Sequence, residues 1–80
     1  MESVPFPEIL SVLEAAGYVM ARVAESHYVF VHGDKKRPMI FLPVRRGRIR
    51  SPYVLAARRL LDESGAMSAK SFDSALRRAS

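Results

Sequence analysis

The sequence predicts an α+β domain in which two helices cover one face of a three-stranded antiparallel sheet. Three observations predict this class. An apolar stripe at helical spacing opens the chain, and three runs rich in β-branched and aromatic residues follow, joined by short turns. A second helical stripe then begins at a proline and ends at a glycine. The chain has 80 residues, 49% of them hydrophobic and 26% charged, which is typical of one small globular domain.

The first helix is predicted over residues 6–16, where apolar residues recur at intervals of three and four. A proline suits its first turn, and Gly17 suits its C-terminal end. The first strand is predicted over residues 18–25 and the second over residues 27–32 (HYVFVH), with a tight turn between them. These short connections predict that the strands form an antiparallel meander.

The third strand is predicted over residues 38–44 (PMIFLPV), after a basic hairpin turn that begins at Gly33-Asp34. Because proline has no backbone N–H, Pro38 and Pro43 can lie only near the ends of this strand or in an edge strand. Residues 45–50 (RRGRIR) are predicted to form a loop.

The second helix is predicted to begin at Ser51-Pro52, an N-cap residue followed by a proline, and to end at Gly65. Residues 1–65 then form a two-layer αβββα domain with both helices on one face of the sheet. The other face is left to solvent or to a ligand. Residues 66–80 are predicted to be a C-terminal extension, with a short third helix over 68–78.

Basic residues are concentrated in one part of the chain. Residues 35–59 contain nine Lys and Arg and no acidic residue, a net charge of +9, whereas residues 1–34 contain one Arg and five acidic residues. Ten of the 13 basic residues are Arg, which contacts phosphate oxygens in a bidentate manner. This basic segment favours a nucleic acid as partner, and an acidic protein partner or a merely solvated face are the alternatives.

Several classes of site are excluded or disfavoured. The chain has no cysteine, which excludes disulfide bonds, thiolate metal sites and cysteine nucleophiles. His27 and His32 lie five positions apart on one strand and therefore face opposite sides, so we expect no shared metal, and we expect no cofactor. No apolar run reaches the length of a membrane span, and the start is not a signal peptide, so a cytoplasmic protein is expected.

His27 is the candidate for proton transfer. It begins the second strand directly after a turn, beside Ser26, where a ring can be held and still reach solvent. Imidazole takes up and releases protons near neutral pH. Taken alone, a single histidine on a strand is more often a surface or packing residue, so its role depends on the sequence around it.

Short motifs follow one another in a defined order. Ala16-Gly17-Tyr18 ends the first helix, Arg22 lies in the first strand, and Glu25-Ser26-His27 opens the second. Residues 42–45 (LPVR) end the third strand, and residues 47–50 (GRIR) lead into the second helix. This order resembles that of the HicA-type (HicA/YcfA-like) toxins of bacterial and archaeal toxin–antitoxin systems. Their pattern is A-G-F/Y, a strand arginine, G-S-H, a basic hairpin, P-x-H and a basic loop.

The resemblance covers about residues 6–64 and implies a fold like that of double-stranded-RNA-binding domains. It also implies the toxin of a type II system, a metal-independent ribonuclease that cleaves mRNA. Carried over, His27 is the general acid or base. Two positions depart from the pattern, because Glu25 replaces the glycine and Arg45 replaces the second histidine. Residues 66–80 extend beyond the usual length of the family.

The remaining site residues follow from this assignment. We expect Arg22 and Arg45 to bind the phosphate or the charge of the transition state. Arg46, Arg48 and Arg50 are expected to anchor backbone phosphates at the start of the second helix. The supporting residues beside the histidine are Ser26, Glu25 and Tyr28, of which Tyr28 either stacks on a base or packs at the core.

The resemblance implies two partners, RNA and a HicB-like antitoxin that covers His27 and the basic segment. No membrane and no small-molecule cofactor are expected. Two other functions stay open on the sequence alone. One is a non-catalytic RNA- or DNA-binding module of the same fold, and the other is a basic protein-interaction module.

Overall fold

The structure, a computed structural model, describes residues 2–80. Its elements in chain order are β1 (Ser3–Pro5), α1 (Phe6–Ala15), β2 (Tyr18–Ala24), β3 (His27–His32), β4 (Ile40–Pro43), β5 (Arg48–Arg50), α2 (Ser51–Ser64) and α3 (Ala69–Ala79). Strands β2, β3 and β4 form an antiparallel meander in that order. The predicted α+β class and the three-stranded meander are therefore confirmed.

A second, two-stranded sheet was not predicted from the sequence. Arg45 and Arg48 exchange two backbone hydrogen bonds, of 2.9 and 3.0 Å, around Arg46 and Gly47. Both central residues have positive φ, 54° and 75°, which is the geometry of a two-residue type I′ hairpin turn. The segment predicted as a loop is thus a tight turn followed by β5, which pairs antiparallel with β1.

The predicted bounds of α1, β2 and α3 each differ from the structure by one residue, and those of β4 and α2 are also shifted. Strand β4 is Ile40–Pro43, shorter than the predicted 38–44, and the carbonyl of Pro38 accepts a hydrogen bond from the Tyr18 hydroxyl at 2.8 Å. Helix α2 begins at Ser51, so that Arg50 is its N-cap residue, in place of the predicted Ser51. The backbone N–H of Ser51 instead donates to the carbonyl of Glu2 at 3.0 Å, which ties the start of α2 to the N-terminal segment.

The core lies between the helices and one face of the meander. Phe30, on the central strand β3, is fully buried there. Helix α3 forms as predicted and buries Phe72 and Ala75. It packs against both α1 and α2. Within residues 2–80 no helix has both the length and the apolar character that crossing a membrane requires.

Candidate functional site

The face of the meander opposite the core carries the candidate site. Side chains alternate along β3, so His27 lies on the face opposite the buried Phe30. Val19 of β2 and Phe41 of β4 pair with residues of β3 on this same side, and they are 60% and 62% exposed. We call this side the open face; the register assigns to it Val19, Arg22, Ala24, His27, Val29, Val31, Phe41 and Pro43.

His27 is exposed at the start of β3. Its neighbours across the sheet are Ala24 on β2 and Pro43 on β4, which present no polar side-chain group to the ring. The Ser26 hydroxyl lies 3.3 Å from His27 Nδ1. No residue of the described range 2–80 makes a hydrogen bond to Nε2. One ring nitrogen is therefore positioned by the turn, and the other is available to a ligand.

Arg22 shares the open face with His27. It pairs with Val29, and His27 pairs with Ala24, so the histidine and the arginine occupy diagonal positions on adjacent strands. Such positions have Cα atoms about 7–8 Å apart, a distance that long side chains bridge. The structure thus places on one face two residues that the motif pattern assigns to one site.

Arg45 approaches His27 from the other side. The backbone N–H of Val44 donates to the carbonyl of Ser26 at 2.8 Å, so pairing with the β3 segment continues past the end of β4. Val44 packs against the core, and alternation therefore directs Arg45 toward the open face. Arg45 lies two residues beyond Pro43, the partner of His27, and therefore at the diagonal position that this continued pairing defines.

The hairpin turn and β5 form a second basic surface next to Arg45. A cavity of about 460 Å³ is lined by Glu2, Ser3, Arg45, Arg46, Arg48 and Arg50. We call it the basic basin. Arg48 is held in it by Ser3, with Nε 2.6 Å from the hydroxyl oxygen and Nη2 3.2 Å from the carbonyl oxygen. None of its four arginines forms an ion pair within residues 2–80, and Arg45 is common to the basin and the open face.

Arg46 adopts a backbone conformation that is unusual for its residue type. Its φ of 54° lies in the left-handed region, where residues other than glycine are uncommon. Such strain is concentrated at functional sites and tight turns. Here the left-handed conformation of Arg46 allows a tight turn over residues 45–48. Arginines occupy the first, second and fourth of these four positions.

Three basic residues of the segment 35–59 are bound to acidic residues outside it. Arg58 forms a bidentate pair with Asp73 of α3, at 2.8 and 2.9 Å, and Arg59 pairs with Glu63 at 2.9 Å. Arg37 donates to the carbonyl of Ser64 at the end of α2 and lies 3.9 Å from Asp34. The segment is therefore less basic toward a partner than its net charge suggests.

The Arg58–Asp73 pair also changes the titration of its members. The hydrogen bond from Arg58 is the main reason why the pKa of the Asp73 carboxyl is lowered. The same hydrogen bond raises the pKa of the Arg58 guanidinium. Both groups therefore carry charge at neutral pH, and the pair links α2 to α3.

Unlike Ser26, the other two supporting residues, Glu25 and Tyr28, make no hydrogen bond to the His27 imidazole among residues 2–80. Glu25 is exposed and forms no ion pair with His27 among the described residues. Tyr28 lies on the face that packs against the helices, half-buried, with its ring 4.6 Å from that of Phe6. Of the two roles considered for Tyr28, this position corresponds to packing.

The second histidine lies away from the first, as alternation predicts. His32 Nδ1 accepts a hydrogen bond from the backbone N–H of Asp34 at 2.9 Å, and its ring meets the Tyr18 ring edge-on at 5.1 Å. Sequence reasoning missed Phe41 as a member of the open face. Its apolar run shows no alternation of polar and apolar residues, so no signal indicates which members are exposed.

Comparisons with known proteins give no relative for this chain. Searches against protein-family models, curated proteins and solved structures return no match. The assignment of function therefore depends on the motif pattern and on the geometry described above.

Proposed function

We propose that this protein is a HicA-like ribonuclease, the toxin of a toxin–antitoxin pair, which cleaves mRNA with His27 as general acid or base. The observation that carries the proposal is the exposed imidazole of His27 on an open sheet face, with Arg22 diagonal to it on β2 and Arg45 two residues beyond its partner Pro43. The order of motifs along the chain supports it independently.

The proposed chemistry needs only proton transfer and charge stabilisation. His27 Nε2 takes the proton of the ribose 2′-hydroxyl as that oxygen bonds to the adjacent phosphorus. The bond from phosphorus to the 5′ oxygen then breaks, and this oxygen receives the proton held by the His27 imidazolium, directly or through a water molecule, which leaves a 2′,3′-cyclic phosphate and a 5′-hydroxyl. Arg22 and Arg45 donate hydrogen bonds to the non-bridging oxygens, where negative charge develops.

One acid–base group limits the rate of such an enzyme. A positioned acid or base contributes about 10²–10⁴-fold. A second histidine would add a separate proton donor, but Arg45 stands at that position of the pattern and is charged throughout the physiological pH range. We therefore expect slow cleavage, which suffices for a toxin that acts on part of a message pool.

The basic basin provides a path for the RNA backbone. Its four arginines have no acidic partner within the described residues, and Arg45 connects it to the open face. Phosphates that precede or follow the scissile linkage would lie against Arg46, Arg48 and Arg50. A HicB-like antitoxin would cover both surfaces, and the cytoplasm is the compartment in which the proposed substrate is found.

A non-catalytic RNA- or DNA-binding module is the second candidate. Two observations favour it: Arg45 in place of the second histidine, and the single exposed imidazole on the open face. The basic basin would serve this function equally well, since contacts to backbone phosphates do not depend on the base sequence and require no cleavage step.

Incubation of the antitoxin-free protein with single-stranded RNA in excess EDTA separates the two candidates. The ribonuclease proposal predicts cleavage by the wild type and by His32→Gln, a change of the other histidine on the opposite face, and cleavage about 10²–10⁴-fold slower by His27→Ala. Circular dichroism and thermal unfolding of each variant report whether the fold is intact. Binding of RNA by the wild type without cleavage would establish the second candidate and reject the first.

A further inference from the structure

The outer edge of β4 is an unpaired strand edge. Hydrogen bonds in an antiparallel pair alternate along the strand. Because the N–H of Val44 binds the carbonyl of Ser26, the backbone groups of Leu42 and Ile40 face β3. Those of Phe41 and Met39 point away from the sheet, and among residues 2–80 no strand pairs with β4 on that side.

An apolar groove runs beside this edge. It has a volume of about 160 Å³ and lies between β4 and α2, with Tyr53, Ala56 and Leu60 on the helix side. Met39 and Phe41 are 60% and 62% exposed, and Tyr53 is 42% exposed. Exposed apolar side chains next to free backbone donors and acceptors are the combination that strand addition uses.

The opposite edge of the meander lacks this combination. Strand β2 changes register between Met20 and Arg22, which is a bulge, and it carries a charged side chain within the strand. Bulges and charges on an edge both discourage pairing with another chain. Strand β4 has neither within Ile40–Pro43, and only the prolines near its ends limit how far pairing can extend.

The charges around β4 select the kind of partner. Lys35 and Lys36 precede the strand, and Arg45 and Arg46 follow it. None of these four forms an ion pair within residues 2–80. A second copy of the chain, paired through its own β4, would bring two such basic clusters together, which costs free energy. An acidic segment would instead meet opposite charge at both ends.

We propose that the edge of β4 binds a short extended segment of an acidic partner protein by strand addition. The segment pairs with the outward backbone groups of Met39 and Phe41 and places an apolar side chain in the groove beside Tyr53 and Ala56. Its acidic residues lie against the basic residues at the two ends of β4. This inference does not depend on the proposed ribonuclease activity, because it uses the outer edge of β4 and not the imidazole of His27, although Arg45 and Arg46 belong to both surfaces.

A short peptide of alternating glutamate and valine is the probe, followed by NMR of the ¹⁵N-labelled full chain. We expect the amide signals of Met39 and Phe41 to shift on titration, and their exchange with solvent to slow by at least about tenfold. Two control peptides share the length: one has lysine for glutamate, and the other has methylated backbone nitrogens at alternate positions. Neither should bind, since one lacks the charge and the other the hydrogen bonds.

Two variants test the location. Ala56→Glu fills the groove, and we expect it to weaken binding of the glutamate–valine peptide by at least about tenfold. Leu55→Glu is its matched control, since it adds the same charge at an exposed position of α2 outside the groove, and it should bind nearly as the wild type does. Equal binding of the methylated peptide, or shifts confined to the basic basin, would overturn the proposal. The proposal would also be overturned if a uridine oligonucleotide shifted the amide signals of Met39 and Phe41 and the peptide did not.

Discussion

Arg22 and His27 occupy diagonal positions on adjacent antiparallel strands and share the open face of the sheet. The continuous register from Arg22 to Ala24 and the tight turn that follows set this arrangement. The bulge in β2 lies before Arg22, and its effect is to place Val19 on the same face. Without the register shift these two residues, three positions apart, would lie on opposite faces. The hairpin of β2 and β3 therefore places a cation beside the exposed imidazole.

Arg45→Ala is predicted to slow RNA cleavage by about 10²–10³-fold, the range seen when one preorganised donor to a transition-state oxyanion is removed. Arg45→Lys should recover only part of the rate, because lysine keeps the charge but lacks the bidentate geometry. The measurement is the single-turnover rate at saturating protein. Arg59→Ala is the control, since Arg59 is already paired with Glu63. Similar losses in Arg45→Ala and Arg59→Ala would remove Arg45 from the site.

The basic basin should determine how RNA binding depends on salt. Each phosphate contact that is lost reduces the slope of log K against log[salt] by about 0.7 for a single strand. We therefore expect Arg46→Ala and Arg50→Ala each to lower the slope by about that amount. Fluorescence anisotropy of a labelled RNA across a range of salt concentrations measures it. An unchanged slope in both variants would show that the RNA backbone does not follow the basin.

Gly17→Ala is predicted to destabilise the domain by more than the roughly 1–2 kcal/mol that a left-handed residue alone costs. Gly17 has a φ of +93°, and a Cβ there would lie 2.5 Å from His32 Nε2. Urea unfolding followed by circular dichroism gives the free energy of unfolding. Gly33→Ala is the control, because a Cβ at Gly33 meets nothing within 4 Å. Equal stabilities of the two variants would contradict the packing of His32 against Gly17.

The ion pair between Arg58 and Asp73 predicts a pH dependence of stability. The hydrogen bond from Arg58 lowers the pKa of Asp73 in the folded state from its ordinary value of 3.8. The contribution of the pair to the free energy of unfolding is therefore complete at pH values above the ordinary pKa of Asp73. It is lost as the pH falls through the lower pKa of the folded state. Asp73→Asn should be less stable than the wild type at pH 7, and the difference should shrink in strong acid.

Urea unfolding of the wild type and Asp73→Asn at several pH values between neutral and strongly acidic measures this difference. Glu14→Gln is a suitable control, because Glu14 is an exposed carboxylate of α1 without an ion pair among the described residues. A constant difference between wild type and Asp73→Asn over the whole range would mean that the pair does not stabilise the fold.

Local signals were sufficient for the meander and for the helices. The alternation in residues 27–32 gave the central strand at its observed bounds, and Gly65 ends α2 with a φ of 78°. The pairing of β1 with β5 was not accessible in the same way. Each strand has only three residues, and Val4 finds its partner Ile49 only after the intervening chain has folded.

The same distinction between local signals and long-range contacts applies to the candidate site. His27 and Arg22 could be assigned to one face because both lie next to the turn of a single hairpin. The bulge, which adds Val19 to that face, has no local signal in the sequence. Which arginines are available to a ligand could not be decided from sequence. The Arg59–Glu63 pair has helical i, i+4 spacing, but the Arg58–Asp73 pair depends on how α3 packs against α2.

The most direct measurement of the central claim is the rate of cleavage of one RNA linkage by the wild type and by His27→Ala, with protein in excess and EDTA present. We predict that the loss of the imidazole slows this step by about 10²–10⁴-fold, that RNA affinity changes little, and that the wild-type product ends in a 2′,3′-cyclic phosphate. Equal rates in the two proteins would contradict the assignment of His27 as the acid or base.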